Sequence, residues 1–503
     1  MRLRKPAIGR LIYLLQMRRQ DRLTEVWRIH FEKGRMTTVF DPVRLMVAAL
    51  DIFASSQLSP AALASRQQTR LSQLLAAAVR GSPLYRERLA GKAVATLRLR
   101  ELAPVTRAEL MARFDDWVTD PALRLDDLRA FVTDDNRIGQ AYLGKYLVWE
   151  SSGTSHQPGI FVQDAQAMAV YDALEALRRS APRPLLRWLD PMLLTERLAF
   201  VGVTGGHFAS LVSMLRLRQL NPLLGQGLRC FSILQPLHRL LAELNAFAPT
   251  VLATYPTVAA QLAELASQGQ LDFAPGEVWT GGETLSQAAR RRIEQGLGCV
   301  VRNSYGASEF MPIGWECQFG KMHVNADWVI LEPVDAQGRA TAPGQPSHST
   351  LLTNLANQVQ PLIRYDLGDQ ITVSSEPCGC GSTLPVIEVR GRRDEVLVMV
   401  GHDGQPVTLL PMALTTLLEE GAGVFDFQLT QQDAHTLVLR LDLHGAEAAG
   451  PSARCQAVLA KYARDQALAP IQIRVELGAI GPRGRSGKAP RVLARPWQSA
   501  QAA

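Results

Sequence analysis

No stretch of this 503-residue chain approaches the roughly 20 consecutive apolar residues needed to cross a bilayer, so no transmembrane helix is expected. The apolar run Leu11–Leu15 is too short for a secretory signal, and no clear cleavage site follows it. A cytoplasmic location is therefore expected. Cysteine is scarce, with six residues at positions 230, 299, 317, 378, 380 and 455. In a cytosolic chain so few thiols exclude a disulfide framework. Internal repeats and low-complexity segments are also absent. Beyond the N-terminus the chain lacks any excess of charge. Residues 1–35 hold ten Lys/Arg and three Asp/Glu, a balance of +7 that equals the net charge of the whole chain. The body is thus formally neutral, which argues against a nucleic-acid-binding enzyme body.

What is present is ordinary for a globular enzyme: 47% apolar and 20% charged residues, in a chain long enough for two or three domains and a large core. The basic N-terminal segment interleaves Leu11, Ile12, Leu14, Leu15 and Trp27 with its cations. Two readings fit it. It packs on the body as a helix with a solvated basic face, or it lies on an anionic membrane surface.

The chemistry concentrates in a few short segments. An apolar run ending in Cys299-Val300-Val301 predicts a strand, followed by Asn303-Ser304-Tyr305-Gly306-Ala307-Ser308-Glu309. Tyr305 can stack on a base, Gly306 admits close backbone approach, Ser308 can donate to a phosphate oxygen, and Glu309 can hold magnesium. Upstream, Ser151-Ser152-Gly153-Thr154-Ser155-His156-Gln157-Pro158-Gly159 lies between the apolar runs Tyr146–Val148 and Ile160–Val162. Small and hydroxyl residues between two strands can cradle phosphate oxygens, although a plain Ser/Gly hairpin has the same composition. Val278-Trp279-Thr280-Gly281-Gly282-Glu283 is another strand running into glycines and a carboxylate. Arg364-Tyr365-Asp366-Leu367-Gly368-Asp369, Gly391-Arg392-Arg393-Asp394 and Gly484-Arg485-Ser486-Gly487-Lys488 follow.

In this order and at these separations, the segments resemble those of the adenylate-forming superfamily of acyl-CoA synthetases, adenylation domains and luciferases. Ser82-Pro83-Leu84-Tyr85-Arg86-Glu87-Arg88, Glu316-Cys317 and Cys378-Gly379-Cys380-Gly381 point to the phenylacetate–CoA ligase branch. The resemblance covers roughly residues 60–495 and implies roles. Ser151, Ser152, Gly153 and Thr154 would form the phosphate loop, and Gly282 and Glu283 would border the adenine and the acyl pocket. Tyr305, with Gly306 beside it, would stack on adenine. Ser308 would contact the α-phosphate, and Glu309 would bind Mg2+. Asp369 would accept both ribose hydroxyls, and Arg392 would support ribose or phosphate. Asp394 would be the hinge, and Lys488 the mobile lysine of adenylation. ATP, Mg2+ and coenzyme A are the implied cofactors, and the implied reaction joins a carboxylic acid, in this branch an aromatic one, to CoA. Transfer to a carrier protein or an amine is the alternative.

One departure stands out. The family loop usually reads Ser-Gly-Thr-Thr-Gly-Lys-Pro, whereas Ser155, His156 and Gln157 stand here where Thr, Gly and Lys are usual. His156 makes any positive φ costly, and Gln157 removes a cation from the phosphates. A nucleotide-binding protein without ligase activity is therefore a third reading.

Three thiols and an imidazole, Cys317, His323, Cys378 and Cys380, make a complete tetrahedral set for structural Zn2+. Their spacing is unlike a standard zinc finger, and the resemblance implies that the two segments meet. The alternative is a turn with free thiols. Cys230, Cys299 and Cys455 have apolar surroundings and are expected as buried small residues. His207, Tyr255, Gly281 and Phe310 are candidates for the acyl pocket, because flanking strand ends open toward the ligand crevice.

From about residue 146 to 305, β-rich runs alternate with helical ones, which predicts a parallel sheet covered by helices. Residues 323–390 turn strand-rich, with one strand expected over His323–Val334, and a smaller β-subdomain fits there; further on, a helix is expected near Met412–Glu420. The expected architecture is α/β. It comprises a basic helical extension (1–57), an adenylate-forming domain (58–393) and a small mobile α+β lid (394–503).

Overall fold

The first described helix, α1 (Pro42–Ser55), starts where the chemistry of its ends dictates. Asp41 Oδ1 accepts from the Val43 and Arg44 amides at 3.0 Å, and proline at the first helical position needs no amide partner. Ser59 and Pro60 repeat the arrangement at α2 (Pro60–Gly81), and Ser82 and Pro83 at the short helix Pro83–Arg88. The protein, a computed structural model, is described over residues 39–494, apart from 57, 95–96, 152–157, 179–194, 221–223, 234, 236, 393–396, 410, 444–447, 479 and 481–490.

A hairpin of β1 (Leu147–Glu150) and β2 (Ile160–Gln163) carries the serine-rich loop. The α/β alternation follows: β3 (Leu198–Gly202), β4 (Leu228–Ser232), β5 (Val251–Thr254), β6 (Glu277–Thr280) and β7 (Val300–Ala307). Between them run α3 (Ala165–Arg178), α4 (Ala209–Leu220), α5 (Leu237–Phe247), α6 (Pro256–Ser267) and α7 (Gln287–Leu297). The expected parallel sheet is present as β4-β3-β5-β6-β7. It does not stop there. β8 (Phe310–Glu316) pairs antiparallel with β7 and β9 (Met322–Val324) with β8, after which β10 (Val329–Val334), β11 (Ser349–Asn354) and β12 (Tyr365–Asp366) form an independent sheet. β13 (Asp369–Val373) and β14 (Val386–Arg392) then complete the large sheet, whose order is β13-β14-β9-β8-β7-β6-β5-β3-β4. The strand-rich stretch thus divides, with one part in its own three-stranded sheet and the other extending the main one.

The single strand expected over His323–Val334 is two strands, broken at residues 325–328. Tertiary charge overrides the local β pattern there. Asp327 is fully buried and takes both amino nitrogens of Arg178 at 2.6 and 2.7 Å. Arg178 also donates to Asn325, and the Arg70 guanidinium lies over the Trp328 ring at 3.5 Å.

The C-terminal part builds on β15 (Leu397–Val400) paired with β16 (Pro406–Leu409). A four-stranded sheet follows, of order β19-β18-β17-β20, from β17 (Phe427–Gln431), β18 (Thr436–Leu441), β19 (Gln472–Leu477) and β20 (Val492–Leu493). With α8 (Ala449–Asp465), these strands enclose a hydrophobic cluster drawn only from residues 397–492. The helix expected over Met412–Glu420 is α-helical at Pro411–Thr416 and then loosens into a π turn at Leu417–Gly421. That turn presents Glu419 to Ser286 and to Arg491, which reaches it at 2.6 Å. Among the described residues no helix is long and apolar enough to cross a membrane.

The Arg178–Asp327 pair predicts its own test. Replacing Asp327 with Ala leaves a guanidinium uncompensated in the core, which should cost about 3–5 kcal/mol. A lowered unfolding midpoint of the purified variant is expected. An unchanged midpoint would mean that the pair does not hold the β9–β10 break.

Candidate active site

β7 changes partners along its length. Val300–Asn303 run parallel to β6, whereas Ser304–Ala307 run antiparallel to β8, with the register shifting between Tyr305 and Ala307. Gly306 occupies the shift. A Cβ there would lie 1.9 Å from the Met311 carbonyl oxygen, a distance no side chain tolerates. The irregularity turns the strand end so that Tyr305, Ser308 and Glu309 project from one tight bend.

Each side chain of the bend is held by an element far away in sequence. The Tyr305 hydroxyl donates to Asp369 Oδ2 at 2.6 Å, joining β7 to β13. The Tyr365 hydroxyl donates to Glu309 Oε1, also at 2.6 Å. The Glu309 carbonyl accepts from the Asn354 side-chain amide at 3.0 Å, and the Ser308 carbonyl accepts from the Trp149 indole at 2.8 Å. Two buried carboxylates therefore stand near one bend, oriented by neutral phenols. Hydrogen bonds of this kind align a carboxylate without neutralising it, and a hard cation or a ribose hydroxyl suits what they leave.

Trp149 sits two residues before Ser151, so its bond to Ser308 brings the mouth of the serine-rich loop to the same bend. Ser151 closes that mouth. Its amide donates to the Gly159 carbonyl and its Oγ accepts from the Gly159 amide, both at 2.8 Å. Gln360 and Asn357 hold β2 beneath the loop through side-chain bonds to Ile160 and Val162. Ser152, Gly153 and Thr154, with His156 and Gln157, lie outside the described residues, as do Asp394, Lys488 and the side chain of Arg392. The backbone of Arg392 pairs with Asp369 in the β13–β14 ladder.

Other residues singled out from the sequence hold the scaffold. Glu283 Oε2 accepts from the Thr257 amide at 3.2 Å and hydroxyl at 2.8 Å, at the N-terminal end of α6 where negative charge is favoured. Gly282 before it has φ +78°, a conformation that suits glycine. Gly281 lets β6 close on Ser304. The structure places Phe310 in the core, edge-on to Tyr171 at 5.0 Å. His207 is also fully buried, with Nε2 3.1 Å from the Asp134 carbonyl and its ring against Phe131. Tyr255 is buried at the start of α6. In the Ser82–Arg88 segment, the buried Tyr85 hydroxyl accepts from the Ile363 amide at 3.2 Å. Arg364 then takes φ +53°, held by Thr353 and Glu332. This anchor sets the position of Tyr365. The roles of Tyr365, Asn354 and Trp149 had no local signal, because each acts on a residue 45 or more positions away.

A second constellation lies where β9 pairs with β14. Cys317, His323, Cys378 and Cys380 bring four ligand atoms within 4.8 Å of one another. The Cys317 and Cys378 sulfurs are 3.8 Å apart, and Cys380 Sγ is 3.3 Å from His323 Nε2. A tetrahedral ion with bonds of about 2.3 Å to sulfur requires an S···S edge of about 3.8 Å, so the donor set fits. His323 Nδ1 lies 3.0 Å from the Leu384 carbonyl, which suits an Nδ1–H donor and leaves Nε2 as the ligand. Burial holds the imidazole pKa below its ordinary value, so the ring is neutral. Burial, with the neighbouring thiols, pushes Cys380 up to about 11, a penalty that a cation among the sulfurs would reverse. Of the three cysteines expected to be buried, Cys455 is, whereas Cys230 and Cys299 are half-buried; desolvation raises Cys230 and Cys455 to about 11 and Cys299 to about 12.

No protein-family model matches the chain. It is 30% identical over 170 residues to phenylacetate-coenzyme A ligase of Thermus thermophilus, covering 32% of this chain and 38% of that protein. It is 29% identical over 138 residues to Protein CapK of Staphylococcus aureus, covering 27% of this chain and 29% of that protein. The matches thus span about a third of the length of these curated relatives. Among solved structures, 2-hydroxyisobutyryl-CoA ligase in its postadenylation state with 2-HIB-AMP aligns at a TM-score of 0.60 and 20% identity, over 86% of this chain and 89% of that one. The same ligase with 2-HIB-AMP and CoA in the thioesterification state aligns at 0.52 and 19%, over 88% and 91%. The chain therefore has the fold of the adenylate-forming CoA ligases. Its sequence similarity is to part of phenylacetate-coenzyme A ligase and of Protein CapK.

The close approach at Gly306 predicts that Gly306→Ala forces β7 from β8, at about 3 kcal/mol or more, the upper range for overpacking. A lower unfolding midpoint of the purified variant is expected. A variant with wild-type stability would show that the bend tolerates a side chain.

Proposed function

We propose that this protein is an AMP-forming ligase that activates a carboxylic acid with ATP and passes the acyl group to coenzyme A. The observation that carries the reading is the pair of bonds Tyr305–Asp369 and Tyr365–Glu309, which gathers an aromatic ring and two carboxylates at one bend beside the loop mouth. The acid's carboxylate attacks the α-phosphate, forming a P–O bond as pyrophosphate leaves. Both reactants are anionic, so alignment and charge stabilisation supply most of the acceleration. Tyr305 stacks on adenine, Asp369 binds the ribose with Arg392 in support, and Ser308 holds the α-phosphate. Ser151 to Thr154 cradle the leaving group. Glu309 would hold Mg2+, which when bound offsets phosphate charge. Residues 394–503 act as a lid turning about Asp394, a reading supported by their separate hydrophobic cluster. A cytoplasmic location suits the use of ATP.

Similarity to phenylacetate-coenzyme A ligase favours an aromatic acid. A second reading, nucleotide binding without ligation, draws on His156 and Gln157 in the phosphate loop. ATP–pyrophosphate exchange over a panel of acids, followed by product mass spectrometry with and without CoA, separates the readings. Acid-dependent exchange with a CoA thioester product is expected. Exchange without a thioester would move the acceptor to a carrier protein or an amine, and no exchange with any acid would leave nucleotide binding alone.

Lys488→Ala should cripple adenylation while sparing thioester formation from supplied acyl-adenylate. Loss of a cation contact in the transition state costs on the order of 3 kcal/mol, about a hundredfold in rate. Equal losses in both half-reactions would sink the lid assignment.

Structural zinc at Cys317, His323, Cys378 and Cys380 belongs to the same reading. Four protein ligands leave no open position for a substrate, so the ion would fasten β9 to the β13–β14 connection. About one zinc per chain is expected by elemental analysis. Cys378→Ser should lower metal content and thermal stability together. A stable, active, zinc-free protein would reduce the cluster to a thiol-rich turn.

A further inference from the structure

The N-terminal helix α1 turns two unlike faces outward and inward. Ala48, Ile52 and Ser55 are buried, and the helix packs on α3. On the opposite side Val43, Met46, Val47, Leu50 and Phe53 are each 60–68% exposed. Their spacing of three or four residues places all five in one stripe along the helix. The helix is firmly seated. Arg216 Nε donates to the Val39 carbonyl at 2.9 Å, and Asp51 pairs with Arg66 and Arg70. Arg44 is drawn aside to Asp41 and to Gln166 at 2.8 Å. The charged side chains of α1 are therefore engaged off the stripe, which is wholly apolar. Soluble proteins rarely expose contiguous apolar patches beyond a few hundred Å2, and those that do use them for contact.

We propose that α1 docks on an anionic lipid surface, with its stripe in the acyl boundary and the cations of residues 1–35 on the headgroups. The argument is charge and chain adjacency. Residues 1–35 carry the whole net charge of +7, and Val43 follows Arg35 by eight residues. Eight residues span at most about 28 Å, so Arg35, the last of these cations, is tethered within that distance of Val43. An apolar helix face flanked by basic residues is the pairing that binds anionic bilayers, hydrophobic insertion and electrostatic attraction acting together. A second copy fits less well. A two-fold contact between α1 stripes would draw two segments of +7 together, and like charges oppose it.

Vesicle flotation of the full chain tests this, using vesicles of phosphatidylcholine alone and with about 30% phosphatidylglycerol. Wild type should bind the anionic vesicles about tenfold better than the neutral ones, and raising the salt to about 0.5 M should remove most of that preference. The double variant Met46→Glu/Leu50→Glu should lose binding about tenfold with an unchanged melting temperature, since both side chains face solvent. Arg18→Glu/Arg19→Glu/Arg22→Glu should do the same. Absence of wild-type binding to anionic vesicles at low salt would overturn the proposal. Binding that survives in Met46→Glu/Leu50→Glu would overturn the role of α1. A wild-type dimer in light scattering, made monomeric by that variant and indifferent to vesicles, would assign the stripe to a second copy instead.

Discussion

The approach of the Gly306 backbone to the Met311 carbonyl is the contact on which the candidate site depends. β7 passes from parallel pairing at Asn303 to antiparallel pairing at Ser304, and the close approach at Gly306 accommodates the register shift between Tyr305 and Ala307 that follows. A strand that continued straight would alternate its side chains across the two faces of the sheet. The bend instead collects Tyr305, Ser308 and Glu309. The antiparallel extension it begins carries β13 and β14, and with them Asp369 and the backbone of Arg392, into the same sheet.

The electrostatics follow from that geometry. Glu309 and Asp369 are both buried, and the partner that reaches each across the fold is a phenol. Elsewhere the chain satisfies buried carboxylates with guanidinium groups, as at Asp327, Glu316 and Glu419. A carboxylate locked to arginine is spent on structure. A phenol hydrogen bond orients a carboxylate without bringing a countercharge, which suits a group that is to engage a cation or a sugar hydroxyl.

Much of this was legible in the sequence where local physics decides. β5, α5 and β19 run over the residues that periodicity and β-branching indicate, and Asp41-Pro42 opens a helix as capping chemistry requires. The Tyr305–Glu309 segment shows its glycine, ring, hydroxyl and carboxylate openly. The misreadings share a cause. The break in His323–Val334 comes from Arg178, some 150 residues away, and the π turn at Leu417–Gly421 carries Glu419 to Ser286. The structure also gives Glu283 a bond to Thr257 at a helix end and packs Phe310 on Tyr171, contacts that no local pattern announces.

The sequence by itself determined the α/β alternation, the order of the motifs and the confinement of net charge to the first 35 residues, because each is written in neighbouring residues. Only the tertiary structure decided which residues meet. It set Tyr365 on Glu309, Tyr305 on Asp369 and Cys317 on Cys378, and it left one face of α1 bare. The reason is physical. Periodicity and propensity act over a few residues, whereas these contacts depend on strand register and helix packing, which only the assembled core specifies.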